Sequence, residues 1–544
     1  MRQVVKILIV ISIAISITIA QNYLPEADIE QKINELISKM TIDEKIGQMT
    51  QFSGALHEYE SMIEEGRIGS LLNVFGASET NRLQKISVEG SRLSIPLIFG
   101  LDVIHGYRTI FPIPLGSAAS WDTALVKKAA SIAAKEAASE GINWTFAPMV
   151  DIARDPRWGR IAEGAGEDPF LGSAMARAQV LGFQGKSLAD SLTLLACGKH
   201  FVAYGGAEGG RDYNTVDISE RTLREIYLPP FKAAVDAGAG SIMSAFNEIN
   251  GIPASANRFT LTDILRGEWG FCGFVVSDWN SIGELIDHGI AANLEKAGKK
   301  ALEAGVDMDM EGRAYSDKLV KLVKGGKLSE ELVNESVRRI LRMKYRLGLF
   351  DHPYTDESSA EDLILNDEHL KTALELSRES IVLLKNKDGL LPLGKDIRKI
   401  AVIGPLADDK NAPLGSWACV GKSEDVVTVL EGIKEKLSST TEVYYAKGCD
   451  IMGSNKEGFK KAVKIAKKVE IAILVVGESA DMSGEAASRS TLDLPGVQKE
   501  LVQAVSKTGT PVIVVLMNGR PLSIPAIVEE IPAVLETWFL GVQC

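Results

Sequence analysis

The stretch "GFVVSDWNSIGEL", residues 273–285, sets an apolar run, Phe274-Val275-Val276, against a carboxylate at Asp278. A short run rich in β-branched residues and opened by glycine reads as a strand buried on both faces, the kind found in helix-covered parallel sheets. In such folds ligands bind at the C-terminal ends of the strands. Asp278 is therefore either the cap of a helix beginning near Ser281 or a group facing a cleft, and this stretch alone does not choose.

Outward from that run, residues 30–347 alternate short apolar runs with amphipathic helical stretches, the pattern of repeated βα units. Strands are predicted near IGSLLNVF, PLIFGLD, NWTFAPMVD, TLLACGKH, GSIMSAFN, GFVVSD and GVDMDM, with helices over 123–139, 219–236 and 330–345 between several of them. The number of runs and the length of the segment predict a TIM-like (β/α)8 barrel. Almost every run ends on a polar residue: Asp102, Asp151, Lys199 with His200, Asn247, Asp278, and Asp307 or Asp309. One capping carboxylate is routine. Polar groups at several strand ends converge on the one face of a barrel where active sites form, and this moves Asp278 toward chemistry.

A polar, turn-rich stretch, GLFDHPYTDESSAEDLILND, separates this segment from a second pattern. Strands near SIVLLKN, KIAVIGP, EIAILVVGE and TPVIVVLMNG, spaced by Lys-rich helices such as 456–468, predict a smaller α/β sandwich domain. The predicted organisation is a barrel over 21–348, a linker over 349–366 and the second domain over 367–544. After the third of these strands comes a Gly- and Ser-rich loop, GESADMSGEAASRSTLDLPGV, carrying Glu485 and Arg489. Such loops bear function when a rigid scaffold presents them and are otherwise only solvent-exposed.

The chain of 544 residues is long enough for at least two cores. With 45% hydrophobic and 24% charged residues it has the composition of a soluble globular protein, and a net charge of -12 leaves no basic footprint for nucleic acid or an anionic membrane. Neutral or cationic small ligands fit better. Residues 1–20 place Arg2 and Lys6 ahead of an apolar run from Ile7 that closes on Ala20. That is the pattern of a secretory signal peptide, too short to span a bilayer, and it predicts a secreted or periplasmic protein with no stable membrane insertion after processing. Five scattered cysteines indicate neither a disulfide framework nor a CxxC site, and the six histidines show no ligand spacing. With no G-x-G-x-x-G or Walker loop, neither a cofactor nor a metal is implied.

Longer motifs then follow in order: GLDVIHG, RDPRWGRIAEGAGEDP, KHFVAYGGAEGGRDYNTVD, MSAFNEING, GFVVSDW and GEAASR. Through them the chain, from about residue 30 to 540, resembles the glycoside hydrolase family 3 β-glucosidases of the secreted or periplasmic, exo-acting kind. The resemblance implies that Asp278 is the nucleophile and that Glu485 is the acid/base, delivered from the second domain to the barrel mouth. It implies further that Asp102, Arg160, Lys199 and His200 hold the hydroxyls of the terminal sugar, and that Met243 and Phe246 line the pocket, with Trp279 beside the nucleophile. The chemistry fits, because hydroxyls both donate and accept while aromatic faces pack on the CH faces of a sugar. A retaining mechanism needs the two carboxyl groups in different protonation states, roughly 5 to 5.5 Å apart. Arg157 and Glu163 either support that pocket or form a structural salt bridge, and Trp279 reads equally as core.

The segment AYGGAEGGRDYNTVD contains none of the histidine expected of the family's N-acetylhexosaminidases. Asp102 stands where relatives acting on xylosides tend to carry Glu, so a glucoside is expected. The expected function is a retaining exo-β-glucosidase that removes terminal β-D-glucosyl residues through a covalent glycosyl-enzyme. A β-xylosidase or broad-specificity β-glycosidase is the alternative within this chemistry, and a carbohydrate-binding protein with little activity is the alternative outside it. An ester hydrolase would need a G-x-S-x-G elbow that the chain lacks. The final AVLETWFLGVQC departs from the family pattern, which continues the second domain and commonly adds a fibronectin-like one. A second domain lacking its last elements, no third domain, and activity reduced through poorer delivery of Glu485 are expected.

Overall fold

Short runs buried on both faces build the first sheet. In the computed structural model, which describes residues 26–394 and 396–544, these are β1 (Thr50–Ser53), β2 (Ser70–Leu72), β3 (Ile98–Leu101), β4 (Trp144–Thr145), β5 (Leu195–Phe201) and β6 (Ser241–Ser244). A small antiparallel hairpin, β7 (Glu248–Ile249) with β8 (Ile252–Pro253), precedes β9 (Phe274–Ser277) and β10 (Asp309–Met310). The signal peptide expected over 1–20 lies outside the described residues.

The order β10-β1-β2-β3-β4-β5-β6-β9 is parallel throughout. The circle closes through the parallel bridge Val276 to Met308, where Ser277 N–H donates to the Met308 carbonyl at 2.9 Å. This is an eight-stranded barrel, and its interior is packed rather than open. Trp144 meets Phe146 and Phe274 edge-on at centroid distances of 4.7 and 5.0 Å. Gly100 on β3 makes room for this cluster, since a Cβ there would lie 2.7 Å from the Phe146 ring.

Within the barrel sheet, the strand that hydropathy did not predict is β1, sequence TQFS. It carries polar side chains into the core, and Gln51, fully buried, donates from Nε2 to Ser70 Oγ on β2 at 2.7 Å. That hydrogen bond to the neighbouring strand offsets the burial cost at the Nε2 end of the amide, while its Oε1 has no hydrogen-bond partner.

The helix predicted over 123–139 forms as Thr123–Ser139, capped by Asp122, which accepts from the N–H groups of Ala124 and Leu125 at 2.8 Å. The stretch predicted over 219–236 is helical but uneven: a π turn, Leu223–Tyr227, leads into Leu228–Asp236. The Pro229-Pro230 pair supplies no N–H to the turn before it, and the ladder widens there.

The second domain is a six-stranded sheet of order β11-β16-β15-β14-β12-β13. Its strands are β11 (Val382–Asn386), β12 (Lys399–Ile403), β13 (Glu442–Ala446), β14 (Ile471–Gly477), β15 (Val512–Met517) and β16 (Ala533–Glu536). All neighbours are parallel except β11 against β16. From β12 the chain moves outward to β13, then returns to the other side of β12 for β14, β15 and β16. The crevice at this switch point lies at the C-terminal ends of β12 and β14, where doubly wound sheets present their loops.

Candidate active site

Barrel strand ends supply one half of the site. Asp102 follows β3, Lys199 and His200 lie in β5, Met243 lies in β6 and Asp278 directly follows β9. With Arg160, Phe246, Trp279 and Glu485 they line one cavity of about 340 Å³, large enough for a sugar ring.

Lys199 Nζ donates to Asp102 Oδ1 at 2.6 Å. Arg160 is buried and bidentate to Glu163, with Nε to Oε1 at 2.9 Å and Nη2 to Oε2 at 3.0 Å, while its Nη1 lies 3.3 Å from Glu485 Oε1. Tyr213 donates its hydroxyl to the same Glu485 oxygen at 2.8 Å. Asp278 Oδ1 accepts from the Trp279 N–H at 2.7 Å, whereas Oδ2 has no hydrogen-bond partner and lies 3.7 Å from His200 Nε2.

Burial pushes the Asp278 carboxyl up to about 7, against the lowering effect of the Arg160 and Lys199 cations and the Trp279 N–H. His200 is held well below its usual range by burial and by the same two cations, so the ring is neutral at pH 7. Its Nδ1 is 2.9 Å from Asp151 Oδ2, which also accepts the His200 backbone N–H at 2.9 Å. With the proton assigned to Nδ1, Nε2 is left as an acceptor toward the cavity. Burial opposes the charge on Lys199, and the adjacent Asp102 more than offsets it, so that amine stays protonated.

The second domain supplies the other half. Glu485 sits in the loop after β14, with its side chain 27% exposed at the cavity mouth. Neighbouring backbone ties that loop to the barrel. Gly484 N–H donates to the Gly159 carbonyl at 2.7 Å, Ala486 N–H to Asp212 Oδ2 at 2.7 Å, and Arg489 N–H to the Arg157 carbonyl at 3.0 Å. A Cβ on Gly159 would lie 2.2 Å from the Gly484 oxygen, so only glycine permits this approach. Trp417, from the loop after β12, lines the cavity with its ring 5.5 Å from Lys199 Nζ.

The convergence of strand-end polar groups needs correction. Asp102, Lys199, His200 and Asp278 line the cavity, and Asp151 lies behind His200. Asp307 does not: it pairs with Arg266 at 2.5 Å and Arg339 at 2.8 Å and accepts from Ser336 and the Val275 N–H, all at the opposite end of the strand. Asp309 accepts the Tyr315 N–H at 3.0 Å within the protein and is also away from the cavity. Of the two residues left open, Glu163 faces Arg160, whereas the Arg157 side chain turns to Asp155 at 2.6 Å on the surface. Trp279 is 46% exposed at the cavity rim rather than in the core. Tyr213, Trp417 and Glu284 also line the cavity and were not singled out in the sequence. Trp417 had a readable signal, an aromatic within the Gly- and Pro-bearing stretch APLGSWACVG after an apolar strand. Among the described residues no group of three or more His, Cys, Asp or Glu side chains is placed to hold a metal, and no helix is long and apolar enough to cross a membrane.

A parallel barrel and a doubly wound sheet that close one sugar-sized cavity between them, each contributing a carboxylate, define a two-domain glycoside hydrolase. Residues 41–343 match the glycosyl hydrolase family 3 N terminal domain and residues 381–543 the C-terminal domain of that family. The chain belongs to glycosyl hydrolase family 3. It is 41% identical over 580 residues to the periplasmic beta-glucosidase of Salmonella typhimurium, spanning 100% of this chain and 75% of that protein. To the beta-xylosidase of Formosa agariphila it is 40% identical over 549 residues, spanning 97% and 72%. The beta-glucosidase from Listeria innocua in complex with isofagomine superposes with a TM-score of 0.90 at 41% identity, covering 94% of this chain and 73% of that one. Further structures of the Listeria protein hold glucose and laminaribiose.

Proposed function

We propose that this chain is a retaining exo-β-glucosidase that removes terminal β-D-glucosyl residues from β-glucosides and short oligosaccharides. The observation that carries the reading is the meeting of Asp278 and Glu485, from different domains, in one cavity equipped with Asp102, Arg160, Lys199 and His200. The terminal glucose donates hydroxyls to Asp102 and to His200 Nε2 and accepts from Lys199 and Arg160, with Met243, Phe246 and Trp279 against its apolar faces. Asp278 Oδ2, free of hydrogen bonds, attacks the anomeric carbon while Glu485 protonates the departing oxygen. A covalent glycosyl-enzyme forms and the aglycone leaves. Glu485, now ionised, takes a proton from water as that water attacks the anomeric carbon and frees Asp278.

Release of nitrophenol from an aryl β-glucoside by the full chain, beside Asp278→Ala and Glu485→Ala, tests the assignment. Asp278→Ala loses about 10⁴-fold or more, and azide restores turnover to Glu485→Ala through a glycosyl azide of retained configuration. A product of inverted anomer, or an active Asp278→Ala, removes the nucleophile role. The similarly distant β-xylosidase relative favours one second reading, and a higher kcat/KM on the xyloside than on the glucoside would select it. The apolar N-terminus and the periplasmic relative support export to the periplasm or medium. Retention of the full-length chain in the cytosolic fraction would overturn that part.

A further inference from the structure

A buried cation of the second domain plays no part in the steps above: Arg520, which follows β15 in MNGRP. Its side chain is fully buried, and both of its terminal nitrogens donate to backbone carbonyls. Nη1 donates to the backbone carbonyls of Pro156 at 3.1 Å and Arg157 at 2.9 Å, and Nη2 donates to those of Met482 and Ala487, the latter at 2.7 Å. Nε faces Glu478 Oε1 at 3.2 Å. Glu478, itself buried at the end of β14, also pairs with Arg489 and accepts the Gly519 N–H at 3.2 Å.

These partners have a common geometry. Met482 and Ala487 bracket residues 483–486, so one side chain pins both ends of the turn that bears Glu485. Pro156 and Arg157 belong to the barrel segment leading into Arg160, the cation 3.3 Å from Glu485. We infer, on the reading of Glu485 as the acid/base, that Arg520 is a positioning residue that fixes this carboxyl against the barrel and thereby governs protonation of the leaving group. An ammonium cannot reproduce a planar grip on carbonyls from two directions, so lysine does not substitute for arginine here.

The test compares kcat/KM of the full chain on phenyl β-glucoside, whose leaving group needs protonation, with that on 2,4-dinitrophenyl β-glucoside, whose leaving group does not. Glu485→Ala sets the scale, with a loss about 100-fold greater on the phenyl substrate. Arg520→Lys is expected to lose about 10-fold more on the phenyl substrate than on the dinitrophenyl one, and to add nothing when combined with Glu485→Ala. Equal losses on both substrates, no loss on either, or a further loss in the double variant would overturn the inference. Should Arg520→Lys fail to fold, Glu478→Gln, which weakens the same grip at constant shape, carries the comparison with the same expected selectivity and the same overturning result. Selectivity in Glu485→Ala with none in the Arg520 or Glu478 variants removes the positioning role alone. No selectivity in Glu485→Ala removes the acid/base reading and the inference with it.

Discussion

At Asp278, burial and charge act in opposite directions. Burial raises the carboxyl to about 7, Arg160, Lys199 and the Trp279 N–H pull it down, and the Glu485 charge pushes it up. A nucleophile must be ionised, so kcat/KM falls as pH falls through this value, and the acid limb lies above the ordinary aspartate range of about 4. Glu485→Gln removes a charge that raises Asp278, so its limb shifts to lower pH. Lys199→Met removes one that lowers Asp278, and its limb shifts to higher pH. Profiles on 2,4-dinitrophenyl β-glucoside, which spares the acid, make both shifts measurable, and a limb near pH 4 that neither variant moves would refute the account. The sequence made the carboxylate itself legible, because a strand this apolar ends on an ionisable group only where that group has a partner or a task. Its charged neighbours were legible one by one, yet their opposing effects depend on distances that no spacing encodes.

The elements that were legible are those whose pattern is apolar. Seven barrel strands and the helix Thr123–Ser139 fall where hydropathy predicts them, whereas β1 does not, because Gln51 hides its core position behind a polar side chain. In the second sheet β13 and β16, each with a Glu at one end, were also missed. The helix Glu330–Arg346 is held to the N-terminal end of the barrel by Lys344, which donates to Gln48 Oε1 at 2.6 Å and to the carbonyls of Gly69 at 2.9 Å and Pro96 at 2.6 Å, just ahead of β1, β2 and β3. Burial lowers this amine to about 7. An unfolded chain protonates it below about 10.4, so between the two values the unfolded state binds more protons. The contribution of Lys344 to stability therefore declines as pH falls from about 10 to about 7 and is level below. Relative to Lys344→Met, the wild-type thermal midpoint drops over that interval, and parallel curves for the two proteins would contradict the burial effect.

For the molecule as a whole, the sequence by itself determined the alternation of strand and helix, the break between two domains, the strand-end carboxylate at Asp278 and the ordered motifs that mark the family. Each is a local property, set by side-chain type and by hydrophobic period, and so survives without coordinates. Only the tertiary structure decided which strand-end groups share the cavity: Asp102 and Lys199 do, while Asp307 turns to Arg266 and Arg339 at the far end. It also brought Glu485 and Trp417 from the second sheet to the barrel mouth and placed Arg520 under the loop between them and Arg160. Glu478, directly after β14, carries the same strand-end signal that drew attention to Asp278 in the barrel, and Arg520 stands three residues past the end of β15. Their meaning depends on a neighbour from the other domain, and the approach of two domains is fixed by matched surfaces, such as Gly159 against Gly484, that no single stretch of chain contains.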